Sequence, residues 1–424
     1  MPGCSAWPRL WPSVCWPRGS NCWICSPTPS PSPGIERTAE FRCRQEGLVP
    51  PADSAASSRL PPQLLAKEDL QALLDALRRA GYRVVGPRLS QGAIVIDELT
   101  DIAELPRGWT DEQVAGQYRL QRRPDEAYFG YNVGPHSWKQ FLFPPQATVA
   151  AAERTAEGWE LRTVDDQQPP YAFLGARACD LAAIAVQDRT FIHAQYADPI
   201  YRRRRAEAFI VAVDCGQAAS TCFCASMNTG PACRQGFDLL LTELAGAFLF
   251  EVGTPRGAAL AAGLPLRPAD EAALAEAAAV RQQAVAQVSK QLDTTDIRQV
   301  LLGSLEHPRW SQVAERCLSC TNCTMVCPTC FCSSVREVGD LSGEHVERQR
   351  EWDSCFNVDF SYLSGGIVRN QIRARYRQWL THKLASWIDQ FDVSGCVGCG
   401  RCITWCPVGI DLTEEVAAIR EEPA

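Results

Sequence analysis

From residue 64 onward the chain acquires a regular alternation of apolar and polar positions. Leu65, Leu70, Leu73, Leu74 and Leu77 recur in a way that predicts a helix, which Gly81 can close. Short apolar runs at 82–85 and 93–96 predict strands, followed by a strand at 171–174, a helix at 180–186 and a strand at 209–213. Strands that alternate with helices predict an α/β N-terminal domain over residues 63–265. The Ala-rich stretch 269–292 predicts a helix within a helical connector, 266–305, its alanines serving packing and propensity. Residues 306–424 carry one more strong period, a long helix over about 366–390. On it Arg369, Arg373 and Arg377 share a face, while Ile372, Tyr376, Leu380, Leu384 and Trp387 lie on the others. That stripe reads either as a solvated face or as a docking surface.

Residues 1–62 are rich in proline and show neither period, which predicts a disordered extension. The five cysteines there, Cys4, Cys15, Cys22, Cys25 and Cys43, lack a metal-site spacing and read as non-functional.

Two cysteine runs near the C-terminus carry the chemistry. They are Cys317, Cys320, Cys323, Cys327 with Pro328, and Cys396, Cys399, Cys402, Cys406 with Pro407, both spaced C-x2-C-x2-C-x3-C-P. This spacing wraps thiolates around 4Fe-4S cubes, and in two-cluster ferredoxins the fourth cysteine of each run serves the other cube. Cys317, Cys320, Cys323 and Cys406 are therefore expected to hold one cluster, and Cys396, Cys399, Cys402 and Cys327 the second. Zinc ribbons favour paired C-x2-C knuckles, and disulfides need an oxidising compartment, so neither fits as well. The expected fold is thus an α/β domain plus a C-terminal, α-rich, ferredoxin-like dicluster 4Fe-4S module with an inserted helical segment.

Composition narrows the function classes. The chain has 424 residues, a formal net charge of −7 and 21 cysteines. An acidic balance argues against nucleic acid as the main partner. No run of 18 apolar residues and no signal sequence are present, so a cytoplasmic protein off the membrane is expected. No dinucleotide fingerprint, phosphate loop or H-E-x-x-H motif occurs, and the five histidines are not spaced as metal pairs; no residue is singled out as catalytic.

Four further cysteines fall near expected strand ends: Cys179, Cys215, Cys222 and Cys224. Ligands gather at such ends in α/β folds, so these thiols can converge on a third iron-sulfur cluster, with Cys233 as a substitute ligand. The competing reading is that buried free cysteines act as small hydrophobes. Cys330, Cys332 and Cys355 fit no further cube and read either as packing residues or as residues that support the cluster ligands from behind.

The chain from residue 63 onward resembles a known family: the beta subunits of cytoplasmic nickel-iron sulfhydrogenases, related to the A subunit of anaerobic sulfite reductase. The resemblance rests on Phe-Leu-Phe-Pro at 141–144, Gly-Ala-Arg-Ala-Cys-Asp-Leu at 175–181, Thr-Cys-Phe-Cys-Ala-Ser-Met-Asn-Thr-Gly-Pro at 221–231, Cys-Pro-Thr-Cys-Phe-Cys at 327–332, Trp-Asp-Ser-Cys at 352–355 and Cys-Val-Gly-Cys-Gly-Arg-Cys at 396–402. It implies an electron-transfer subunit, not catalytic alone, that links a flavin subunit handling NAD(P)H to a hydrogenase or sulfite-reducing partner. A stand-alone iron-sulfur reductase of a small substrate is the alternative from another class. Thr321 and Asn228 stand where such proteins often carry glycine. Thr321 is expected to alter the loop beside a cluster, whereas asparagine tolerates a positive φ.

Overall fold

A computed structural model describes residues 60–163 and 166–421; the expected disordered extension lies almost wholly outside the described residues, as do its five cysteines. An eight-stranded mixed sheet dominates the first half. Its order is Arg267–Pro268, Gln63–Ala66, Ala247–Val252, Leu239–Glu243, Phe209–Val213, Tyr171–Ala176, Arg83–Ser90 and Ala93–Glu98. The four strands from Leu239–Glu243 to Arg83–Ser90 run parallel. Their central members, Phe-Ile-Val-Ala-Val and Tyr-Ala-Phe-Leu-Gly-Ala, are nearly all buried, as expected of parallel strands covered on both faces.

The helix Leu70–Arg79 buries Leu70, Leu73, Leu74 and Leu77 against Val84, Val211 and Phe248 on one face. On the other, the helices Ala178–Phe191 and Pro199–Glu207 pack over Phe173 and Ile210. Leu65, expected in the helix, instead pairs with Phe248 in the strand Gln63–Ala66. The five-residue step from Leu65 to Leu70 is off the helical face, and two prolines precede the segment. The Ala-rich helix runs Glu271–Gln287, capped by the Asp270 carboxylate, and Arg281 ties it to Asp214 (2.6 Å) at the end of the strand Phe209–Val213.

Between the two cysteine runs the structure differs from expectation. A β-hairpin, Ser333–Gly339 with His345–Trp352, adds to Gln146–Thr155 and Gly158–Arg162 in a four-stranded antiparallel sheet. The long helix at 366–390 is shorter and interrupted: Ile372–Thr381, a π-helical turn His382–Ser386, then Trp387–Phe391. Gly366, at φ 119°, belongs to a small hairpin with Tyr362–Leu363. Arg369 therefore lies outside the helix, and Arg373 and Arg377 both face Glu306, with Arg377 also donating to the Leu305 carbonyl. The arginine stripe is thus partly used within the chain.

Candidate metal centres

The two cysteine loops have the same backbone. Ser319 and Thr321 take φ 51° and 71°, and Gly398 and Gly400, at the matching places of the second run, take 64° and 76°. In each loop the first cysteine sulfur accepts a backbone N–H two residues on: Ser319 to Cys317 and Gly398 to Cys396, both at 3.5 Å. Thr321 therefore keeps the conformation a glycine would adopt rather than altering the loop, and Asn228 does the same at φ 56°. In the second loop glycine is also required by space. A Cβ on Gly398 would meet the Phe223 carbonyl oxygen at 2.6 Å, and one on Gly400 the Thr221 carbonyl oxygen at 2.5 Å.

The structure brings Cys317, Cys320, Cys323 and Cys406 onto one cavity, walled by Tyr376 and Trp379. Cys406 comes from the other run and accepts the Ile410 N–H at 3.3 Å. This cavity lies at the surface, since Cys320 is exposed and Leu318 is 62% exposed. The remaining thiol of the first run, Cys327, sits with Cys396, Cys399 and Cys402 in the interior. Burial pushes the Cys323 and Cys402 thiols well above the ordinary range and Cys396 up to about 12. Cys327 goes the other way, pulled down by a hydrogen bond from Cys330 and by the neighbouring Lys383 ammonium. Such soft sulfur donors beside buried cations suit an anionic iron-sulfur cube.

Cys179, Cys215, Cys222 and Cys224 line a second cavity together with Cys399. Cys179 opens the helix after Tyr171–Ala176, and Cys215 follows the adjacent parallel strand Phe209–Val213. The loop bearing Cys222 and Cys224 is clasped by the second cysteine run: Phe223 donates to the Gly398 carbonyl (2.9 Å), Thr229 to the Val397 carbonyl (2.6 Å), and the Thr221 and Thr404 hydroxyls meet at 2.9 Å. Cys233 is directed elsewhere, its sulfur toward the Val213 carbonyl and its N–H toward Asp214. Two buried guanidinium groups flank this region. Arg177 lines the cavity and donates to the carbonyls of Phe129, Tyr131 and Asp214; Arg401 pairs with Asp180 and lies beside the Cys399 sulfur.

Sequence reasoning missed two buried lysines. Lys139 donates to the Cys330 carbonyl (3.1 Å) and lies 3.9 Å over the Trp352 ring. Lys383 donates to the Cys327 sulfur. Its spacing from Leu380 and Trp387 places it on the apolar side of the helix, a signal that was available. Cys332 and Cys355 face one another, and the Cys355 hydrogen bond, aided by Lys383 and Lys139, pulls the Cys332 thiol down to about 7. These cysteines thus sit in a charged setting, not a purely apolar one.

Residues 316–410 match the family described as a 4Fe-4S dicluster domain, so this part of the molecule is an iron-sulfur domain. Sulfhydrogenase 2 subunit beta of Pyrococcus furiosus is 30% identical over 286 residues, which is 67% of this chain and 82% of that protein. The chain belongs to the sulfhydrogenase beta-subunit family. No solved structure matches it. Among the described residues no helix is long and apolar enough to cross a membrane.

Proposed function

We propose that this chain is the iron-sulfur electron-transfer subunit of a hydrogenase-type complex, relaying electrons between a flavin subunit that handles NAD(P)H and a nickel-iron hydrogenase module. The family supports the hydrogenase partner, because the relative's name makes it a subunit of a sulfhydrogenase. One observation carries the relay: the three thiol sets share walls. Cys402 of the interior set also lines the surface cavity, and Cys399 of the same set lines the cavity of Cys179, Cys215, Cys222 and Cys224.

In this reading Cys317, Cys320, Cys323 and Cys406 hold the surface cube, and Cys327, Cys396, Cys399 and Cys402 the interior one. Cys179, Cys215, Cys222 and Cys224 hold a third. Bound there, such clusters supply one-electron redox chemistry. The chain's own residues fix their order, bury Cys327 and Cys396 of the interior set and leave one face, around Cys320 and Leu318, open to a partner. The decisive experiment combines anaerobic purification of the chain with its partners and dye-mediated reduction of the isolated chain. Clusters that reduce with dye, but no turnover without a partner, are expected. Steady NAD(P)H oxidation by the chain alone would overturn the proposal.

A further inference from the structure

Lys383 is 2% exposed, and no carboxylate forms an ion pair with it among the described residues. Its Nζ has three hydrogens and three acceptors: the Cys327 sulfur at 3.2 Å, the Gly395 carbonyl at 3.1 Å and the Thr329 hydroxyl at 3.3 Å. The donors are satisfied, and among the described residues no carboxylate neutralises the charge, which leaves that to the Cys327 sulfur. A buried ammonium is expensive without an opposite charge, and what surrounds this one is sulfur: Cys327, Cys330, Cys396 and Cys402.

The backbone holds it there. Gly395 N–H donates to the Lys383 carbonyl at 2.9 Å while the Gly395 carbonyl accepts from the Lys383 side chain, so the residue before Cys396 is gripped from both sides. A Cβ on Gly395 would lie 2.5 Å from the Trp387 ring, which explains the glycine at this close approach. The grip falls within the π-helical turn His382–Ser386, a local widening of the helix of the kind that recurs at functional sites. Lys139, by contrast, donates to the Cys330 carbonyl and lies over the Trp352 ring, with no hydrogen bond to a cysteine sulfur of this set among the described residues.

We propose that Lys383 sets the reduction potential of the cube held by Cys327, Cys396, Cys399 and Cys402, raising it above the value a neutral side chain would give. A cube bound by four thiolates is anionic, and reduction adds a further negative charge beside the buried Cys327 and Cys396. A cation fixed within hydrogen-bond distance of one ligand favours the reduced form, and its N–H···S bond acts in the same direction. Lys383 is a positioning residue here: it acts through the Cys327 thiolate.

The inference rests on the dicluster reading, so iron is assayed first on every sample. Redox titration of the anaerobically purified full-length chain, followed by electron paramagnetic resonance, then compares K383M, K383Q and K383R with the wild type. With iron content unchanged, K383M and K383Q should lower one midpoint potential by at least tenfold in the oxidised-to-reduced ratio, which is about 59 mV for one electron. The other midpoints should stay in place, and K383R should restore the first. Unchanged midpoints in iron-replete K383M and K383Q would overturn the proposal. So would loss of iron from one cube in both, which would mean that Lys383 only clamps the loop. A wild-type chain without two cubes would instead sink the dicluster reading itself.

Discussion

Arg401 and Asp180 form an ion pair that is almost wholly removed from water: the two side chains are 1% and 3% exposed, and the Nη2 to Oδ1 distance is 2.8 Å. Arg401 lies between Cys399 and Cys402, and Asp180 follows Cys179, so the pair bolts the second cysteine run to the helix that opens beside the third thiol set. Removing one partner leaves a charge buried alone, which costs about 3–5 kcal/mol. D180N should therefore lower thermal stability severely. D180N paired with R401M should recover part of the loss, as a double-variant comparison of unfolding midpoints will show.

Ser319 and Thr321 hold left-handed backbone that glycine occupies in the matching loop. An L-residue is disfavoured there by about 1–2 kcal/mol, partly offset by the greater freedom of glycine in the unfolded chain. S319G and T321G are each expected to raise the temperature of cluster loss slightly. G398A and G400A should lower it strongly, because they drive a methyl into the carbonyls of Phe223 and Thr221.

Crossed ligation makes a distinct spectroscopic claim. C327A should damage the cube of Cys396, Cys399 and Cys402 and spare that of its own sequence neighbours, with Mössbauer or electron paramagnetic resonance spectra as the measure. Loss of the Cys317 cube instead would show uncrossed ligation.

Replacing Cys222 and Cys224 together by serine should reduce iron from about 12 to about 8 atoms per chain, at four per cube, with the dicluster signals retained. An unchanged iron content would leave these thiols a packing role.

The thiols also predict opposite pH behaviour for the empty and the loaded chain. Burial lifts Cys396 from the ordinary 9.0 to about 12, and Cys323 and Cys402 move the same way. A pKa raised on folding contributes stability that is full below the unfolded value and is lost as pH climbs through the folded one. The iron-free chain should accordingly weaken between about pH 9 and about pH 12, read by denaturant midpoints. Iron must displace those protons, so loading at limiting iron should fall as the solution is acidified.

Much of this was legible in the residues because the signals were local. The C-x2-C-x2-C-x3-C-P spacing and the apolar runs at 171–174 and 209–213 depend on near neighbours alone. The hairpin Ser333–Gly339 with His345–Trp352 left little trace, since most of Ser333–Gly339 is exposed and its valines do not alternate into a core. The interruption of the long helix was hidden because Lys383 and Gly395 grip one another only after folding. The arginine stripe was a sound period on the wrong start: the helix begins at Ile372, and Glu306, far back in the chain, takes two of its three charges.

The clasp between residues 221–229 and 397–404 also bears on biosynthesis. The cavity formed by Cys179, Cys215, Cys222 and Cys224 obtains one wall from Cys399, and its loop is held by carbonyls at Val397 and Gly398. A ribosome that has released only the large sheet has exposed four thiols to the cell with one side of their cavity missing. Under the proposed third cluster, metal insertion at this site is expected to follow translation of nearly the whole chain, and a polypeptide halted before Cys396 would present its thiols without the wall that Cys399 supplies.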